Sequence, residues 1–398
     1  MQRFKLMWLS VALVLFTSGW GFAQGQSPKH ASVMVPESTV ERLQDKGFRA
    51  HTNHLIRMDA KPNKPGPRGP SGESPASIRG VYNLPSTGGS GTIAIVDAFD
   101  YATAENDLSV FSQQFGLPAC TTANGCFKKV FATGTKPQAN CGWGQEAALD
   151  IEWAHAMAPN AKIVLVEAAS NSFVDLFNAV DVATAQVTTG GVGEVSMSWS
   201  GGEFSTEASN DGHFQNNGVV YFAASGDTGG VNGYPSVSPY VISAGGTTIN
   251  RNGSGQFTSE TAWSGSGGGP SRYENKLSYQ NNVANTDPTK RSAPDFSFDA
   301  NPNSGVSVYD STRCQGSSGW LVFGGTSVSS PSLAGIVNLA GHVTTSTNTV
   351  SELGTIYSNR ANTADFRDIT SGSAGSFSAG TGYDFVTGVG SDLGTSGK

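Results

Sequence analysis

Short apolar segments alternate with amphipathic helical segments in the middle of the chain, and this alternation restricts the fold more than any other feature. The pattern predicts buried strands at residues 91–99, 161–169, 193–200 and 218–227. It predicts intervening helices at residues 101–117, 144–159 and 172–186. Strands that are apolar without alternation are typical of a parallel sheet covered on both faces. We therefore predict a doubly wound, mainly parallel α/β domain flanked by helices.

The N-terminus has the pattern of a secretory signal peptide over residues 1–23. A basic start with Arg3 and Lys5 precedes an apolar stretch from Leu6 to Phe16, and Gly21-Phe22-Ala23 is a typical cleavage site. An uncleaved anchor helix is the alternative, although the apolar stretch is short for a bilayer span. The pattern predicts a secreted protein, extracellular or periplasmic, without membrane attachment after cleavage at Ala23.

A second N-terminal segment, residues 24–74, is interpreted as a short leader or pro-segment with a linker. Residues 36–48 are predicted to form one short helix. Residues 61–74 carry prolines and glycines at a density that a packed core does not accommodate. The single folded body is therefore predicted to comprise residues 75–398.

Charge is distributed unevenly between these parts. Residues 1–74 contain 10 Lys and Arg against 5 Asp and Glu, whereas the body contains 14 against 26. An acidic body excludes nucleic acid as a partner, since phosphate binding requires a positive surface. The composition is compatible with a protein that works in acid.

The four cysteines agree with export. Cys120 and Cys126 are six residues apart and are predicted to form a disulfide, which leaves Cys141 and Cys314 as a possible long-range pair. Zinc binding is the alternative, but no Cys-x-x-Cys motif or histidine pair lies nearby.

The segment "GGTSVSSPSLAG", residues 324–335, places Ser327 after two glycines at the predicted start of a buried helix, with Pro331 near the first turn. Free backbone N–H groups and the helix dipole at such a position favour a developing oxyanion. The alternative is an ordinary N-cap serine. A serine nucleophile also needs a base. The six histidines are His30, His51, His54, His155, His213 and His342. None of them lies in a Gly-Thr-His setting.

Carboxylates are the better candidates for that base. Glu146 and Asp150 are four residues apart and share one face of a predicted helix, whereas His155 points about 140° away from Asp150. The alternative for this pair is a solvated acidic face. Asp227 follows a strand in "SGDTGG", where a turn aspartate is the alternative. Asp97 also ends a predicted strand, and we interpret it as structural.

The C-terminal region carries a further constellation. Asp368, Ile369, Gly380, Gly382 and Asp384 combine two carboxylates with a glycine-rich turn whose carbonyls are able to reach a hard cation. The alternative is a flexible glycine- and serine-rich tail.

Together these motifs resemble the sedolisins, the serine-carboxyl peptidases that share the subtilisin-like fold. The resemblance covers about residues 75–395 and rests on "GGTSVSSP", "EAALDIE" and "AASGDTGG", with "YPSVSPYVISAGGT" and "RSAPDFSFDANPNSG" as similar connecting segments. It implies that Ser327 is the nucleophile, Glu146 the general base and acid, Asp150 its orienting partner and Asp227 the acid that stabilises the oxyanion. It also implies one structural Ca²⁺, with Asp368 and Asp384 as side-chain ligands and Ile369, Gly380 and Gly382 as carbonyl donors.

The expected function is hydrolysis of peptide or protein substrates in acid by a monomeric endopeptidase. An exopeptidase of the tripeptidyl-peptidase type and a catalytically silent binding protein of the same fold are the alternatives. One departure concerns the leader, because sedolisins usually carry a large prodomain and about 50 residues here are too few to form it. Activation by self-cleavage is therefore in doubt, and the basic leader is instead a candidate for a minimal inhibitor or chaperone lying against the acidic body.

Overall fold

A computed structural model describes residues 33–58 and 70–398. Its strands are β1 Val33–Met34, β2 His51–Thr52, β3 Leu55–Arg57, β4 Thr92–Ala98, β5 Phe127–Phe131, β6 Lys162–Ala168, β7 Gly193–Met197, β8 Trp199–Gly202, β9 Val219–Ala224, β10 Gly233–Tyr234, β11 Ile242–Arg251, β12 Phe257–Ala262, β13 Gly269–Asn275, β14 Lys290–Ala293, β15 Phe296–Asp299, β16 Val306–Cys314, β17 Ser317–Gly324, β18 Phe366–Arg367, β19 Ser373–Ala374, β20 Phe377–Ser378 and β21 Ser391–Asp392.

Its α-helices are α1 Pro75–Tyr82, α2 Ala104–Phe115, α3 Cys141–Met157, α4 Phe173–Gly190, α5 Thr326–Ala340 and α6 Thr349–Asn359. Short 3₁₀ helices occupy Glu37–Thr39, Glu207–Phe214 and Ser278–Gln280. The strands and helices predicted between residues 91 and 227 are all present, with ends shifted by a few residues.

The main sheet has the order β18-β21-β15-β11-β9-β7-β4-β6-β5, with β12 paired to β11. Its inner pairs, from β5 to β21, are parallel, and β12 and β18 add antiparallel edges. The predicted mainly parallel sheet is confirmed. Strand β4 lies between β6 and β7, so the order of the strands reverses there. The chain places β5 and β6 on one side of β4, and β7 and β9 on the other. Sites in sheets of this kind form at the carboxyl ends of the strands beside such a reversal.

Strand β4 shows how the two faces of the sheet are covered. Ile93 and Ile95 belong to a core that includes apolar residues of α2, α3 and α5, whereas Ala94 and Val96 belong to a second core with residues of α4. Successive side chains of a strand point to opposite faces, so an uninterrupted apolar run predicts burial on both.

Two helices of the first core carry the candidate catalytic residues. Helix α3 begins after Asn140, whose side chain accepts hydrogen bonds from the N–H groups of Gly142 and Trp143. Helix α3 packs against α5, and Gly335 of α5 lies so close to Met157 that an added Cβ would come within 2.6 Å of the Met157 Cβ. This close packing fixes the distance between the two helices.

The leader residues 33–58 add strands to the body. Strand β1 pairs with β3, β3 pairs with β17, and β2 pairs with β8, all antiparallel. The prediction of one short helix over residues 36–48 is wrong, because only Glu37–Thr39 forms a 3₁₀ turn and the following residues form turns. Gly47, with φ +74°, adopts a backbone conformation that ends helical structure in this segment.

Both disulfides are present, Cys120–Cys126 and Cys141–Cys314. The first closes the loop between α2 and β5, and the second joins the start of α3 to the end of β16. The predicted signal peptide, residues 1–23, lies outside the described residues. Among the residues that the structure describes, no helix is long and apolar enough to cross a membrane.

Candidate active site

The candidate nucleophile lies at the start of α5, as predicted. Gly325 precedes the helix with φ +100°, a conformation that L-residues rarely adopt, and Ser327 is the second helical residue. Ser327 is fully buried. Its Oγ donates a hydrogen bond to the carbonyl oxygen of Ser198 at 3.1 Å. Ser198 follows β7, so the serine lies against the carboxyl end of the central sheet.

Pro331 contributes to this contact, although it lies in the second turn of α5 rather than the predicted first turn. A proline has no N–H, so the carbonyl four residues earlier, that of Ser327, has no helical partner. The Ser198 hydroxyl donates to this carbonyl at 3.3 Å. The same hydroxyl donates to Asp150 Oδ1 at 2.9 Å. Ser198 thus connects the nucleophile's helix to the carboxylates of α3.

Helix α3 presents Glu146 and Asp150 to the same interior region, and both are fully buried. The alternative of a solvated acidic face is therefore wrong for this pair. Burial, followed by the charges of Asp97 and Glu146, raises the pKa of Asp150 well above its usual range. Burial, followed by Glu146 and Glu167, does the same for the pKa of Asp97. Asp97 is the last-but-one residue of β4, and we did not select it from the sequence as part of the site.

Asp227 follows β9 and faces the start of α5. Its Oδ1 accepts hydrogen bonds from the Thr326 N–H at 2.8 Å and from the Thr326 hydroxyl at 2.9 Å. Its Oδ2 is buried and has no hydrogen-bond partner among the described residues. Burial is the largest effect on this carboxyl and, despite the two Thr326 hydrogen bonds, raises the pKa of Asp227 to about 8. Asp227 is therefore protonated in acid and has a hydrogen to donate.

The leader crosses this site as an extended peptide. On one side of Asn53, β2 pairs His51 and Thr52 with Ser200 and Trp199 of β8. On the other side, β3 pairs with Phe323 and Gly324 of β17. The Asn53 N–H donates to the Ser198 carbonyl at 3.2 Å. Antiparallel pairing with exposed sheet edges is a common way for proteins to bind extended peptides.

The carbonyl oxygen of Asn53 lies where an oxyanion would be stabilised. It accepts a hydrogen bond from the Ser327 N–H at 3.0 Å. A Cβ added at Gly325 would lie 2.2 Å from this oxygen and 2.5 Å from Asp227 Oδ2, so the Asn53 oxygen and the free Asp227 oxygen approach the same point. Gly325 is therefore required both for its backbone conformation and for the space it leaves, which explains the second glycine of "GGTS".

The next residue, His54, contacts the candidate base. Its Nδ1 lies 2.8 Å from Glu146 Oε2, both side chains are fully buried, and the imidazole stacks on Phe323 with ring centroids 5.3 Å apart. The Asn53 N–H also lies 3.2 Å from Glu146 Oε2. The Ser327 hydroxyl meanwhile donates to Ser198 and not to Glu146. In this arrangement His54 of the leader contacts the candidate base, Glu146, and Glu146 does not accept the hydrogen of the Ser327 hydroxyl.

Sequence reasoning selected four residues that the structure brings together, Ser327, Glu146, Asp150 and Asp227. It missed Asp97, Asn53 and His54. Asp97 had a usable signal, a charged residue ending an apolar strand, whereas Asn53 and His54 lie in a segment that was assigned to the leader. His155 is remote from the serine, with Nε2 2.9 Å from the Pro118 carbonyl oxygen.

The C-terminal carboxylates meet the same glycine turn. The Gly382 N–H donates to both oxygens of Asp368 at 3.1 Å, and the Gly380 N–H donates to Asp384 Oδ2 at 3.1 Å. Asp384 Oδ1 also accepts from the N–H of Thr387 at 2.8 Å. Both carboxylates thus contact this turn through its N–H groups.

Comparison with known proteins agrees with this site. No protein-family model matches the sequence. The chain is 33% identical to sedolisin of Pseudomonas sp. (strain 101) over 207 residues, which cover 48% of this chain and 33% of that protein. It is 31% identical to kumamolisin of Bacillus sp. (strain MN-32) over 292 residues, which cover 63% of this chain and 49% of that protein. The chain thus spans half or less of the length of these curated relatives.

Among solved structures, the fold is similar to that of Pseudomonas sedolisin, a serine-carboxyl proteinase, complexed with two molecules of pseudo-iodotyrostatin. The TM-score is 0.65 at 24% identity, over 82% of this chain and 96% of that one. Fold and site together define a subtilisin-like α/β protein in which buried carboxyls, and not a histidine of the body, surround a serine at a helix start. Over the matched residues the sequence is similar to sedolisin and kumamolisin, and the fold is similar to that of Pseudomonas sedolisin.

Proposed function

We propose that the protein is a serine-carboxyl peptidase that hydrolyses peptide or protein substrates in acid. The observation that carries the proposal is the placement of a peptide carbonyl, that of Asn53, which accepts from the Ser327 N–H and lies beside Gly325 near the same point as the free oxygen of Asp227. Donors fixed where negative charge develops are the most effective means of stabilising a tetrahedral intermediate. A binding protein has no need for a protonated acid at this point.

The proposed reaction begins with attack of Ser327 Oγ on the carbonyl carbon of the bound peptide. Glu146 accepts the hydroxyl proton, and the oxyanion receives hydrogen bonds from the Ser327 N–H and from protonated Asp227. Glu146 then gives the proton to the leaving amine as the amide bond breaks, which forms an ester on Ser327. Water hydrolyses the ester by the same steps and restores the serine hydroxyl.

Asp150 and Asp97 are proposed to control the charge of Glu146. All three carboxyls lie in one buried group, and no Lys or Arg of the described residues forms an ion pair with them. Two adjacent buried negative charges are unfavourable. Raised pKa values keep Asp150 and Asp97 protonated in acid, so neither adds a negative charge beside Glu146. The Ser198 hydroxyl holds Asp150 in place beside the nucleophile.

The leader supports an endopeptidase over an exopeptidase. Backbone contacts extend at least four residues before the Asn53–His54 bond, because the Ala50 N–H donates to the Asn171 carbonyl at 2.9 Å. They continue for at least two residues beyond that bond along β17. A cleft that accepts chain in both directions suits cleavage inside a polypeptide. While it lies there, the leader excludes other substrates, so we propose that it also acts as the inhibitor of the enzyme.

The first test is Ser327→Ala, with Ser329→Ala as a matched control on the same helix. Ser329 is also buried but points to the Phe298 carbonyl, outside the site. We expect peptide hydrolysis by the purified full-length protein in acid to fall about 10⁴-fold or more in Ser327→Ala, with a circular dichroism spectrum like that of the wild type. Comparable hydrolysis by both variants would remove Ser327 from the mechanism.

We also propose one structural Ca²⁺ at the C-terminal turn, held by the Asp368 and Asp384 carboxylates and by the carbonyls of Ile369, Gly380 and Gly382. Two carboxylates at one glycine turn suit a hard cation, which takes six to eight oxygen ligands. Chelation is expected to lower the melting temperature, and Asp384→Ala to lower it without further effect of chelator. An unchanged melting temperature after chelation, with no calcium in elemental analysis, would contradict the site.

Secretion and a monomeric state are part of the proposal. Two disulfides suit an oxidising compartment, and they agree with the signal-peptide pattern of residues 1–23. Mass spectrometry of the N-terminus of the exported protein tests the cleavage after Ala23, and light scattering tests the monomer.

A further inference from the structure

The side chain of Asn53 occupies a specific pocket beside the reacting bond. It is 1% exposed, and its amide nitrogen lies 3.1 Å from Ser200 Oγ and 3.4 Å from the Ser198 carbonyl oxygen. Its amide oxygen accepts from the same Ser200 hydroxyl at 3.2 Å. The pocket therefore offers an acceptor to the NH₂ group and a hydroxyl that pairs with either end of the amide.

Residues behind the pocket keep Ser200 in place. Ser200 lies in β8 and is 2% exposed. Gly233 of β10 lies directly behind it, because a Cβ at Gly233 would be 2.7 Å from the Ser200 Cβ and 2.8 Å from its Oγ. A hydroxyl fixed by close backbone packing recognises a partner of defined geometry, since little side-chain entropy is lost on binding.

The backbone of Asn53 shows which subsite this pocket is. The Asn53 N–H points to the Ser198 carbonyl, and its carbonyl accepts from the Ser327 N–H and lies beside Gly325 near the same point as the free oxygen of Asp227. The bond that follows it, to His54, is thus the one presented to Ser327. The Asn53 side chain occupies the position of the residue that contributes the acyl group.

We propose that this pocket is an amide-selective specificity subsite, and that the enzyme preferentially cleaves peptide bonds that follow asparagine, with Ser200 as the specificity-determining residue. The proposal rests on the peptidase function given above. A site built to hydrogen-bond a polar group discriminates strongly against an apolar analogue, because its own polar groups are then left unpaired.

Other side chains fit this pocket less well. Leucine is apolar and has no group that pairs with the Ser200 hydroxyl or with the Ser198 carbonyl. An aspartate would bring a negative charge into the buried group of carboxyls and place an acceptor against the Ser198 carbonyl. Glutamine is one methylene longer than a side chain that is already fully enclosed. We therefore expect asparagine to be preferred over all three.

The test uses internally quenched octapeptides of sequence AHTXHLIR, residues 50–57 with X at position 53 as Asn, Gln, Asp or Leu. The assays use the full-length wild type and the full-length His54→Gln variant. The pH is about one unit above the ordinary carboxyl pKa of ~4, so that the aspartate peptide is charged. We expect kcat/KM for the Asn peptide to exceed that for the Leu peptide by about 10- to 100-fold, the effect of one to two lost hydrogen bonds.

Ser200→Ala is expected to reduce this Asn-to-Leu ratio about tenfold. Ser112→Ala, a buried serine in α2 that donates to the Leu108 carbonyl, is the matched control and is expected to keep the wild-type ratio. Equal kcat/KM for the Asn and Leu peptides, or a ratio unaffected by Ser200→Ala, would overturn the subsite while leaving the peptidase function intact. Absence of hydrolysis of every peptide both by the wild type and by His54→Gln, which alters the contact of the leader with Glu146, would overturn the peptidase function.

A measurement without turnover tests the pocket independently. The Ser327→Ala chain cannot cleave itself by the proposed mechanism. In this chain we expect trypsin to cut after Arg49 or Arg57 only when the leader leaves the body. Asn53→Leu is expected to speed this digestion about tenfold, and Thr39→Ala, elsewhere in the leader and bonded only to Pro36, to leave it nearly unchanged. Equal digestion rates for Asn53→Leu and its parent would contradict recognition of the amide.

Discussion

Two clusters of buried carboxyls lie in this protein, and they differ in what surrounds them. The catalytic cluster consists of Asp97, Glu146, Asp150 and Asp227. The peripheral cluster consists of Glu203, Glu207, Asp211 and Glu274, which follow β8 and line β13. Members of both have raised pKa values, with burial as the largest cause, so both favour acid.

Hydroxyls and backbone groups bond part of the peripheral cluster, but Glu207 Oε1 and Glu274 Oε1 have no hydrogen-bond partner among the described residues. Glu207 accepts from the Phe204 N–H at 2.7 Å, and Asp211 accepts from the Ser238 hydroxyl at 2.7 Å and the Tyr234 hydroxyl at 3.2 Å. In the catalytic cluster, likewise, Glu146 Oε1, Asp150 Oδ2 and Asp227 Oδ2 have no hydrogen-bond partner within the part of the chain that the structure describes. Unpaired buried oxygens are costly and are expected where a reaction supplies the missing partner. Neither burial nor an unpaired oxygen by itself therefore identifies a catalytic carboxyl. The catalytic cluster differs by its place beside Ser327, since Asp227 accepts a hydrogen bond from the N–H of the preceding residue, Thr326.

Among Asp227, Asp150 and Glu207, the removal of Asp227 should have the largest effect on activity. Asp227→Ala is expected to lower kcat about 10²- to 10³-fold, because one oxyanion donor is lost. In the wild type, the Asp227 proton is lost as pH rises through its pKa of about 8, so the rate should fall on that side. Asp227→Asn keeps a donor without a titrating proton and should lose less activity, with a weaker alkaline fall. The measurement is the pH profile of kcat/KM on a peptide of constant charge.

If kcat/KM falls at alkaline pH in Asp227→Asn as it does in the wild type, a group other than Asp227 causes this fall. A wild-type maximum at alkaline pH would contradict the carboxylate mechanism altogether.

Asp150→Asn tests the orienting role and should have a smaller effect. The amide keeps an acceptor for the Ser198 hydroxyl but cannot exchange a proton with Glu146, so we expect kcat to fall about 10- to 100-fold. The melting temperature near neutral pH should not fall, because a buried titrating group has been replaced by a neutral one. A large loss of stability with normal activity per folded molecule would make Asp150 a structural residue.

Glu207→Gln should change stability and not activity, which separates the two clusters. Burial, followed by Glu203 and Glu274, raises the pKa of Glu207 to about 9. The folded state therefore binds this proton more tightly than the unfolded state, whose carboxyl pKa is about 4. The stabilising contribution is complete below about pH 4 and is lost as pH rises toward 9.

We accordingly expect Glu207→Gln to raise the melting temperature by about 3–6 °C at pH 8 and by little at pH 4. The exposed Asp181, paired only with His213, supplies the control Asp181→Asn, which should show no such pH dependence. Thermal unfolding at several pH values decides the matter, and a uniform shift at every pH would show that Glu207 does not titrate in this range.

Much of the fold and site was accessible from local sequence. Strand β4 was predicted because its uninterrupted apolar run has only one stable placement, inside a covered sheet. Ser327 was predicted because two glycines, a hydroxyl and an apolar helix leave few other roles. The error at residues 36–48 arose because helix propensity is weak, and there the pairing of neighbouring strands with the body prevailed.

The sequence by itself determined the parallel sheet, the four catalytic candidates and the Cys120–Cys126 pairing, because each depends on periodicity, spacing or a short motif. The tertiary structure alone decided that Asn53 and His54 lie at Ser327, that Asp97 joins the carboxyls of α3, and that Asp227 keeps an oxygen free. These facts depend on contacts between residues up to 274 positions apart, such as that of Asn53 with Ser327. Only the packing of α3 on α5 and of the leader on two sheet edges brings such residues together, and no local pattern encodes that packing.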